Sequence, residues 1–377
     1  MYRIRIDEIS KKKLLNDYLI DYRSKTRKLI NDFLTGASSC VFQYSVGRNP
    51  RKTFTVKVAP GSFTYQFLKK CTDPEDPLLD SLLVGDTHKQ IATIQWVLTN
   101  SSDNFKTLTA KRTKGVVSGT TIDDFNTILY EIFINRAFDS DSNFFDKEKF
   151  VKNLGIRICP YCGRSFIYHV AKKGAGGIAT VKPQIDHFLP KRQYPFLGMN
   201  FFNLIPSCSQ CNLSPCKGKN DPLSHGRNHI QYLMHPYAFD DTKVHMFFRL
   251  NSSHTLKVES YDVLVGYSDR DLMFGYNNYL VIDKFYAGHR VEMRNMYTQV
   301  QAFRVVTRGL YSRFGIRPFT STMMDFSIIG FRFNVTEEGL QLMYKFKKDL
   351  YSQMWKRYHK GATYFAEDKG TVISITV

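Results

Sequence analysis

The chain has 377 residues and carries 53 Lys and Arg against 34 Asp and Glu, a formal net charge of +19. A chain of this length usually divides into two or three domains, and the basic excess favours a polyanionic partner such as a nucleic acid. No apolar run approaches the ~18 residues of a membrane-spanning helix and no segment resembles a secretion signal, so we expect a cytoplasmic protein without membrane spans.

Residues 1–140 are predicted to form an N-terminal accessory domain of mixed α/β structure that binds substrate or a partner. Basic helical sequence runs from Lys11 to Phe33, and alternating residue types from Lys52 to Val58 predict a strand. A clearer helix is expected from Ile122 to Phe138, with Thr121 as its cap. Apolar residues at helical spacing predict its buried face: Phe125, Ile128, Leu129, Ile132 and Phe133.

Two Cys-x-x-Cys pairs lie in the middle of the chain, and their members are Cys159 and Cys162, then Cys208 and Cys211. A gap of two residues lets a tight turn point both sulfurs at one ion, and zinc favours a closed shell of four thiolates. We therefore predict one structural zinc site. A thioredoxin-like dithiol is the alternative, but no strand-helix pattern of that kind surrounds Cys159.

The remaining cysteines, Cys40, Cys71 and Cys216, have no paired spacing. Together with the odd total of seven, this argues against a disulfide framework and favours a reducing compartment. Cys216 follows Cys211 closely and could replace a zinc ligand, although Cys208 and Cys211 form the better pair.

An acid-histidine pair and two asparagines lie between and beside the cysteine pairs: Asp186, His187, Asn203 and Asn212. With the cysteines, they make the stretch from Cys159 to about Tyr237 resemble the HNH, or ββα-metal, endonuclease family. In that family a first strand ends at an acid-histidine pair, a loop leads to a second strand, and a short helix carries the last metal ligand. Zinc knuckles tie the two ends together in many members. The resemblance covers about a fifth of this chain.

The resemblance implies a role for each of these residues. His187 would be the general base that takes a proton from the attacking water, as suits imidazole near neutral pH. Asp186 and Asn212 would give oxygen ligands to Mg²⁺ or Mn²⁺, and the products would carry 5′-phosphate and 3′-hydroxyl ends. Asn203 would orient the loop and the base, either through a direct catalytic role or by shaping a turn.

One departure from the family concerns the helix after Asn212. Many members place a lysine three residues after the last asparagine, whereas here Pro215 and Cys216 precede Lys217. Since proline is tolerated only in a first helical turn, the helix either starts at about Asn212 or is very short. Four basic residues are candidates for phosphate contacts, with solvated basic loops as the alternative. They are Lys191, Arg192, Lys217 and Lys219.

The C-terminal residues 241–377 are predicted to form a basic α+β domain that is rich in helix. Short strands are expected from Val244 to Val265, with Phe247 and Leu250 among the buried positions. A long helix should begin near Ile282, and a last amphipathic helix should run from about Thr336 to His359. The predicted fold class is therefore α+β, with a zinc-stapled ββα-metal nuclease core at residues 141–240.

The motifs together predict metal-dependent hydrolysis of DNA phosphodiester bonds by an HNH endonuclease. His235-Pro236-Tyr237 after the core is similar to HNH subunits of ATPase-partnered bacterial anti-phage systems of the Septu-like kind. We therefore expect a defence or restriction role with a regulatory ATPase subunit as partner. Two alternatives stay open: a non-catalytic zinc-ribbon module that binds nucleic acid or a protein, and a nuclease that cleaves RNA.

Overall fold

The computed structural model describes residues 1–44, 52–101, 119–139, 144–167, 170–174, 177–181, 184–224, 230–251, 257–314 and 342–359. Within these ranges the fold is mixed α+β with small sheets, as predicted. The helices are α1 (Glu8–Leu34), α2 (Phe63–Thr72), α3 (Leu78–Val84), α4 (Thr87–Asn100), α5 (Phe125–Tyr130), α6 (Lys147–Leu154), α7 (Ser209–Asn212), α8 (Arg270–Asn278), α9 (Ile282–Ala287), α10 (Arg290–Phe314) and α11 (Tyr344–His359).

The described strands form one three-stranded sheet and several two-stranded ones. They are β1 (Cys40–Tyr44), β2 (Lys52–Val56), β3 (Thr121–Ile122), β4 (Val170–Gly174), β5 (Gly177–Val181), β6 (Gln184–His187), β7 (Leu204–Ser207), β8 (Leu223–Ser224), β9 (Ile230–Gln231), β10 (Val244–Leu250) and β11 (Tyr261–Tyr267). In the three-stranded sheet, β2 pairs antiparallel with β1 and parallel with β3. The hairpins β4-β5, β8-β9 and β10-β11 are antiparallel, and β6 pairs with β7.

The chain separates into two compact units that are interleaved along the sequence. The first, here called the histidine unit, comprises Ile6–Gly155 and Ile185–Pro206. The second, here called the cysteine unit, comprises Met1–Arg5, Ile156–Gln184 and Ser207–Val377. The three-domain division at residues 140 and 240 stays a prediction.

Helix α1 of the histidine unit confirms the helix expected from Lys11 to Phe33 and extends it at both ends. Its first turn is closed by Asp7, whose Oδ1 accepts a hydrogen bond from the Ser10 amide at 2.9 Å. Its buried residues recur every three or four positions, so they lie on one face of the helix. These are Tyr18, Tyr22, Thr26, Ile30 and Phe33.

The helix predicted from Ile122 begins later than expected. Thr121 and Ile122 pair with β2 as strand β3, and Asp124 is the cap, accepting a hydrogen bond from the Thr127 amide at 2.8 Å. The prediction of Thr121 as the cap was wrong, because Thr121 pairs with strand β2 and the helix begins only after it. After α5 the chain continues as a π-helix, Glu131–Phe138. The predicted apolar face from Phe125 to Phe133 is buried, as expected.

In the cysteine unit, the β10-β11 hairpin packs against helices α9, α10 and α11. Val244, Met246 and Phe248 are buried, whereas Phe247 is only half-buried, so the face predicted from Phe247 was wrong by one residue. Side chains of α11 cover the β10 backbone: the Met246 amide donates to Asp349 and the Phe248 amide to Gln353. A helix in this position gives hydrogen-bond partners to backbone amides at the edge of the sheet, which would otherwise be unpaired.

The long helix expected from Ile282 is divided into α9 and α10, which are separated by Gly288 and His289. The last helix is confirmed from Tyr344 to His359, while its predicted start at Thr336 lies outside the described residues. In the part of the chain that the structure describes, no helix is both long and apolar enough to cross a membrane.

Candidate functional site

The four cysteines of the two Cys-x-x-Cys pairs meet in the interior of the cysteine unit. Their sulfur atoms all lie within 4.8 Å of one another, and Cys162 Sγ is 4.0 Å from Cys208 Sγ. A tetrahedral zinc ion with bonds of about 2.3 Å needs sulfurs roughly 3.8 Å apart, so the arrangement fits a metal such as zinc. Cys216 is not part of this cluster. The predicted ligand set is therefore the one that the fold brings together.

A tight turn presents the first cysteine pair. The Gly163 amide donates to the Cys159 carbonyl at 2.7 Å, and Gly163 adopts a positive φ of 66°. A Cβ on Gly163 would come within 2.6 Å of the Met1 nitrogen, so the turn needs glycine for space as well as for its backbone. The Arg164 amide then lies 3.4 Å from Cys162 Sγ and donates to it. Such a donor stabilises a thiolate.

Buried tyrosines hold this turn in place. Tyr2 donates its hydroxyl to the Ile158 carbonyl at 2.5 Å, and Tyr286 donates to the Cys162 carbonyl at 2.5 Å. These hydrogen bonds fix the backbone on both sides of the first cysteine pair, and a preorganised turn lowers the ordering cost of metal binding.

The second pair lies on a single helical turn. Cys208 is the N-cap of α7, and its carbonyl accepts hydrogen bonds from the amides of Cys211 and Asn212. Helix α7 ends at Asn212, because Leu213 is extended and Pro215 follows. Of the two possibilities left open by the sequence, the very short helix is the observed one.

The four thiols cannot all ionise in such close contact without a cation. Burial raises the pKa of Cys159, whereas hydrogen bonding with Cys159 lowers the pKa of Cys162 and brings that of Cys208 to about 7. The neighbouring sulfurs, Cys159 first, raise the pKa of Cys211. A divalent cation would remove this conflict, since it favours the thiolate form of all four.

His187 ends strand β6 in the histidine unit and is buried. Its Nε2 lies 2.9 Å from the Gly198 carbonyl oxygen. Because a carbonyl can only accept, Nε2 must carry the proton, and in the neutral ring the lone pair then lies on Nδ1. The Phe138 ring packs at 69° to the imidazole with 4.5 Å between centroids. The fold therefore selects one tautomer and one orientation of the ring.

The carbonyl partner of His187 is itself held by a close packing contact. Gly198 follows a 3₁₀ turn, Pro195–Leu197, and a Cβ at this position would lie 2.2 Å from Ile134 Cδ1. The glycine thus lets the π-helix approach the loop. This link between Gly198 and Ile134 was not visible in the sequence, because the two positions are far apart in the chain.

Asn203 shapes the loop that follows His187. Its Oδ1 accepts the Leu189 amide at 2.7 Å, while its Nδ2 donates to the carbonyls of Leu189 at 3.2 Å and Leu197 at 3.0 Å. Its backbone carbonyl accepts the Phe188 amide at 2.8 Å. All these partners are backbone groups of one loop. Of the two roles expected for Asn203, direct catalysis and shaping of the loop, these contacts match the second.

Asn200 is a further structural residue of this loop that sequence reasoning missed. Its Oδ1 accepts from Gln90 at 2.8 Å, and its Nδ2 donates to the carbonyls of Ser81 and Gly85. These bonds fasten the loop to α3 and α4. No sequence signal marked its bonds to Gln90, Ser81 and Gly85, since these three partners lie more than a hundred residues away in the chain.

Replacing Asn203 should therefore destabilise the loop between β6 and β7, which its side chain holds. For Asn203→Ala we expect the free energy of unfolding to fall by about 2–4 kcal/mol, because buried backbone groups lose their partners. Chemical denaturation measures the change. Asn153→Ala, which removes an exposed asparagine of α6, serves as the control and should leave the midpoint unchanged. Equal midpoints for the two variants would contradict the anchoring role.

The two predicted oxygen ligands belong to different units. Asp186 is a buried residue of β6 in the histidine unit. Asn212 of the cysteine unit donates from Nδ2 to Gln184 Oε1 at 3.0 Å. That bond engages the amide nitrogen, and coordination of a hard cation by the amide oxygen stays a prediction. Carboxylate and amide oxygens suit Mg²⁺ or Mn²⁺.

The four predicted phosphate contacts lie in different environments. Lys191 is half-buried and pairs with Asp139, whereas Arg192 is exposed. Lys219 is also exposed, but Lys217 is fully buried. The exposed positions of Arg192 and Lys219 suit a contact with a polyanion, and such a contact for any of the four stays a prediction.

Comparison with known proteins finds no matching family model, no matching curated protein and no matching solved structure.

Proposed function

We propose that this chain is a metal-dependent HNH endonuclease that hydrolyses DNA phosphodiester bonds, with His187 as its general base. The observation that carries the proposal is the bond from His187 Nε2 to the Gly198 carbonyl. It makes Nδ1 the basic nitrogen and fixes its direction. The order of strand β6, loop, strand β7 and short helix α7 along the chain supports the same assignment.

The geometry explains how His187 would act. In the neutral ring, Nδ1 accepts a proton from water as that water attacks the phosphorus. In the resulting imidazolium, Nε2 keeps its proton and still donates it in a hydrogen bond to the Gly198 carbonyl, whose partial negative charge stabilises the new positive charge. Because the ring is also packed against Phe138, it need not reorganise during the transfer.

Two metals are part of the proposal, and they have separate roles. Zinc held by Cys159, Cys162, Cys208 and Cys211 would be structural, since four thiolates leave no open position for substrate. Asp186 and Asn212 would hold Mg²⁺ or Mn²⁺, which when bound stabilises charge on the phosphate and the departing 3′ oxygen. Arg192, Lys191 and Lys219 would contact the phosphate backbone.

The proposed setting is cytoplasmic anti-phage defence or restriction, with a regulatory ATPase subunit as partner. The support is the sequence resemblance around His235-Pro236-Tyr237 and the need to restrain a nuclease inside its host. A zinc-ribbon module without activity and an RNA-cleaving enzyme are the competing functions, and the same assay separates all three.

The test is cleavage of supercoiled plasmid and of a labelled RNA by the zinc-loaded chain, with and without Mg²⁺ or Mn²⁺. We expect nicked or linear DNA only with Mg²⁺ or Mn²⁺. EDTA should abolish cleavage, and excess Mg²⁺ supplied afterwards with zinc should restore it, whereas zinc alone should not. Cleavage of RNA alone would reassign the substrate. Metal-independent cleavage would refute the proposal, as would DNA binding without cleavage even after addition of any ATPase that a pull-down with this chain recovers.

A further inference from the structure

A two-lysine cluster lies beside His187 in the histidine unit. Lys147 Nζ is 3.2 Å from Asp139 Oδ1, and Lys191 Nζ is 2.6 Å from Asp139 Oδ2. Lys147 begins α6, Lys191 follows β6 by a few residues, and Asp139 follows the π-helix directly. Three separate segments thus bring two ammonium groups onto the two oxygens of one carboxylate.

The Phe138 ring connects this cluster with the proposed base. The ammonium groups of Lys147 and Lys191 lie 4.4 Å and 5.8 Å from the centre of the ring. The same ring packs against the His187 imidazole at 4.5 Å. Both cations and the imidazole therefore share one aromatic neighbour, which is itself buried.

Stability alone is a poor explanation for this arrangement. All three charged side chains are about one-third or more exposed, and ion pairs of that kind contribute little to folding. Asp139 is also the C-cap of the π-helix, where the helix dipole disfavours an anion. With two cations on one anion, the cluster keeps a net positive charge at the surface.

Other charges around the cluster have their own partners. Asp146 accepts the Lys149 amide at 2.9 Å as the cap of α6, and Asp21 pairs with the Lys149 ammonium at 2.5 Å. Neither carboxylate has a bond to Lys147 or Lys191 among the described residues. Among the described residues, the carboxylate that both lysines contact is therefore Asp139.

We propose that Lys147 and Lys191 form a clamp for one backbone phosphate of bound DNA, and that the Asp139 carboxylate occupies the phosphate position when DNA is absent. A carboxylate bridged by two ammonium groups presents the same acceptor oxygens that a phosphate presents. The clamp lies beside His187, so it would position the backbone next to the reacting phosphate. The inference rests on the proposed function for its substrate.

The clamp predicts opposite effects for its cations and its anion. Fluorescence anisotropy with a labelled DNA duplex, without added Mg²⁺ or chelator, gives the affinity between about 50 and 200 mM salt. For Lys147→Ala and Lys191→Ala we expect about tenfold weaker binding and a salt slope reduced by about 1. For Asp139→Asn we expect binding to tighten about fivefold, since a like charge near the phosphate is removed.

Lys149→Ala is the matched control, because it removes a lysine of the same helix that also pairs with one aspartate. It should leave the salt slope nearly unchanged. Equal losses for Lys147, Lys149 and Lys191 would overturn the clamp, as would an Asp139→Asn variant that binds no tighter. Thermal unfolding of each variant confirms that the fold is kept.

Binding and cleavage separate the two proposals. A wild type that binds DNA with the expected slopes but never cleaves it would retain the clamp and refute the nuclease. A wild type that cleaves DNA while the lysine variants bind normally would retain the nuclease and refute the clamp. Failure of the wild type to bind duplex DNA would overturn the clamp outright.

Discussion

Purified His187→Ala should cleave plasmid DNA about 10²–10⁴-fold more slowly than the wild type, the usual contribution of a general base. The Gly198 carbonyl and the Phe138 ring fix the imidazole in one orientation, and an alanine at this position has no group that accepts a proton. Single-turnover rates with saturating Mn²⁺ measure the chemical step. The affinity for duplex DNA should change little, because the neutral ring contributes no charge.

The variant also removes a buried side chain, so its fold has to be followed in parallel. His245→Ala removes an exposed histidine of the cysteine unit and should keep the wild-type cleavage rate. Added imidazole can enter the space left in His187→Ala, and we expect it to restore part of the rate. A folded His187→Ala variant that cleaves at the wild-type rate would remove His187 from the mechanism.

Loss of one cluster thiol should release the metal and destabilise the cysteine unit. For Cys208→Ala we expect the zinc content to fall from about one ion per chain to near zero, because a structural site needs all four ligands. Since structural zinc binding supplies folding free energy, the melting temperature should fall as well. Elemental analysis and thermal unfolding measure the two effects.

Cys216→Ala is the matched control, since this buried cysteine lies close in sequence but outside the sulfur cluster. It should keep its zinc. If Cys216→Ala lost the metal and Cys208→Ala kept it, the ligand set would be wrong.

Zinc affinity should also rise with pH. Burial raises the pKa of Cys159 and the neighbouring sulfurs, Cys159 first, raise that of Cys211, so we expect these two thiols to be protonated when no metal is bound. Binding must release their protons, and acid therefore favours the metal-free form. Competition with a chromophoric chelator across pH measures this effect. An affinity that does not depend on pH would show that the thiols are already ionised without metal.

Local patterns determined much of the fold. The apolar face from Phe125 to Phe133 is buried as predicted, and α1 and β2 lie where residue periodicity placed them. Such patterns are readable because a helix or strand face repeats within a few residues. Two local predictions were wrong: the cap at Thr121, which pairs with strand β2, and the buried face at Phe247, because the last helix packs over strand β10.

For the candidate site, the sequence by itself determined the four clustered cysteines, because the spacing of a Cys-x-x-Cys turn is a local property. It also placed His187 at the end of a strand. Only the tertiary structure decided that His187 donates from Nε2 to Gly198, that Asn203 fastens one loop, and that Lys217 is buried. It alone joined Asp139, Lys147 and Lys191. Such contacts depend on how loops and helices pack in three dimensions, and no local repeat in a single sequence records which groups will meet.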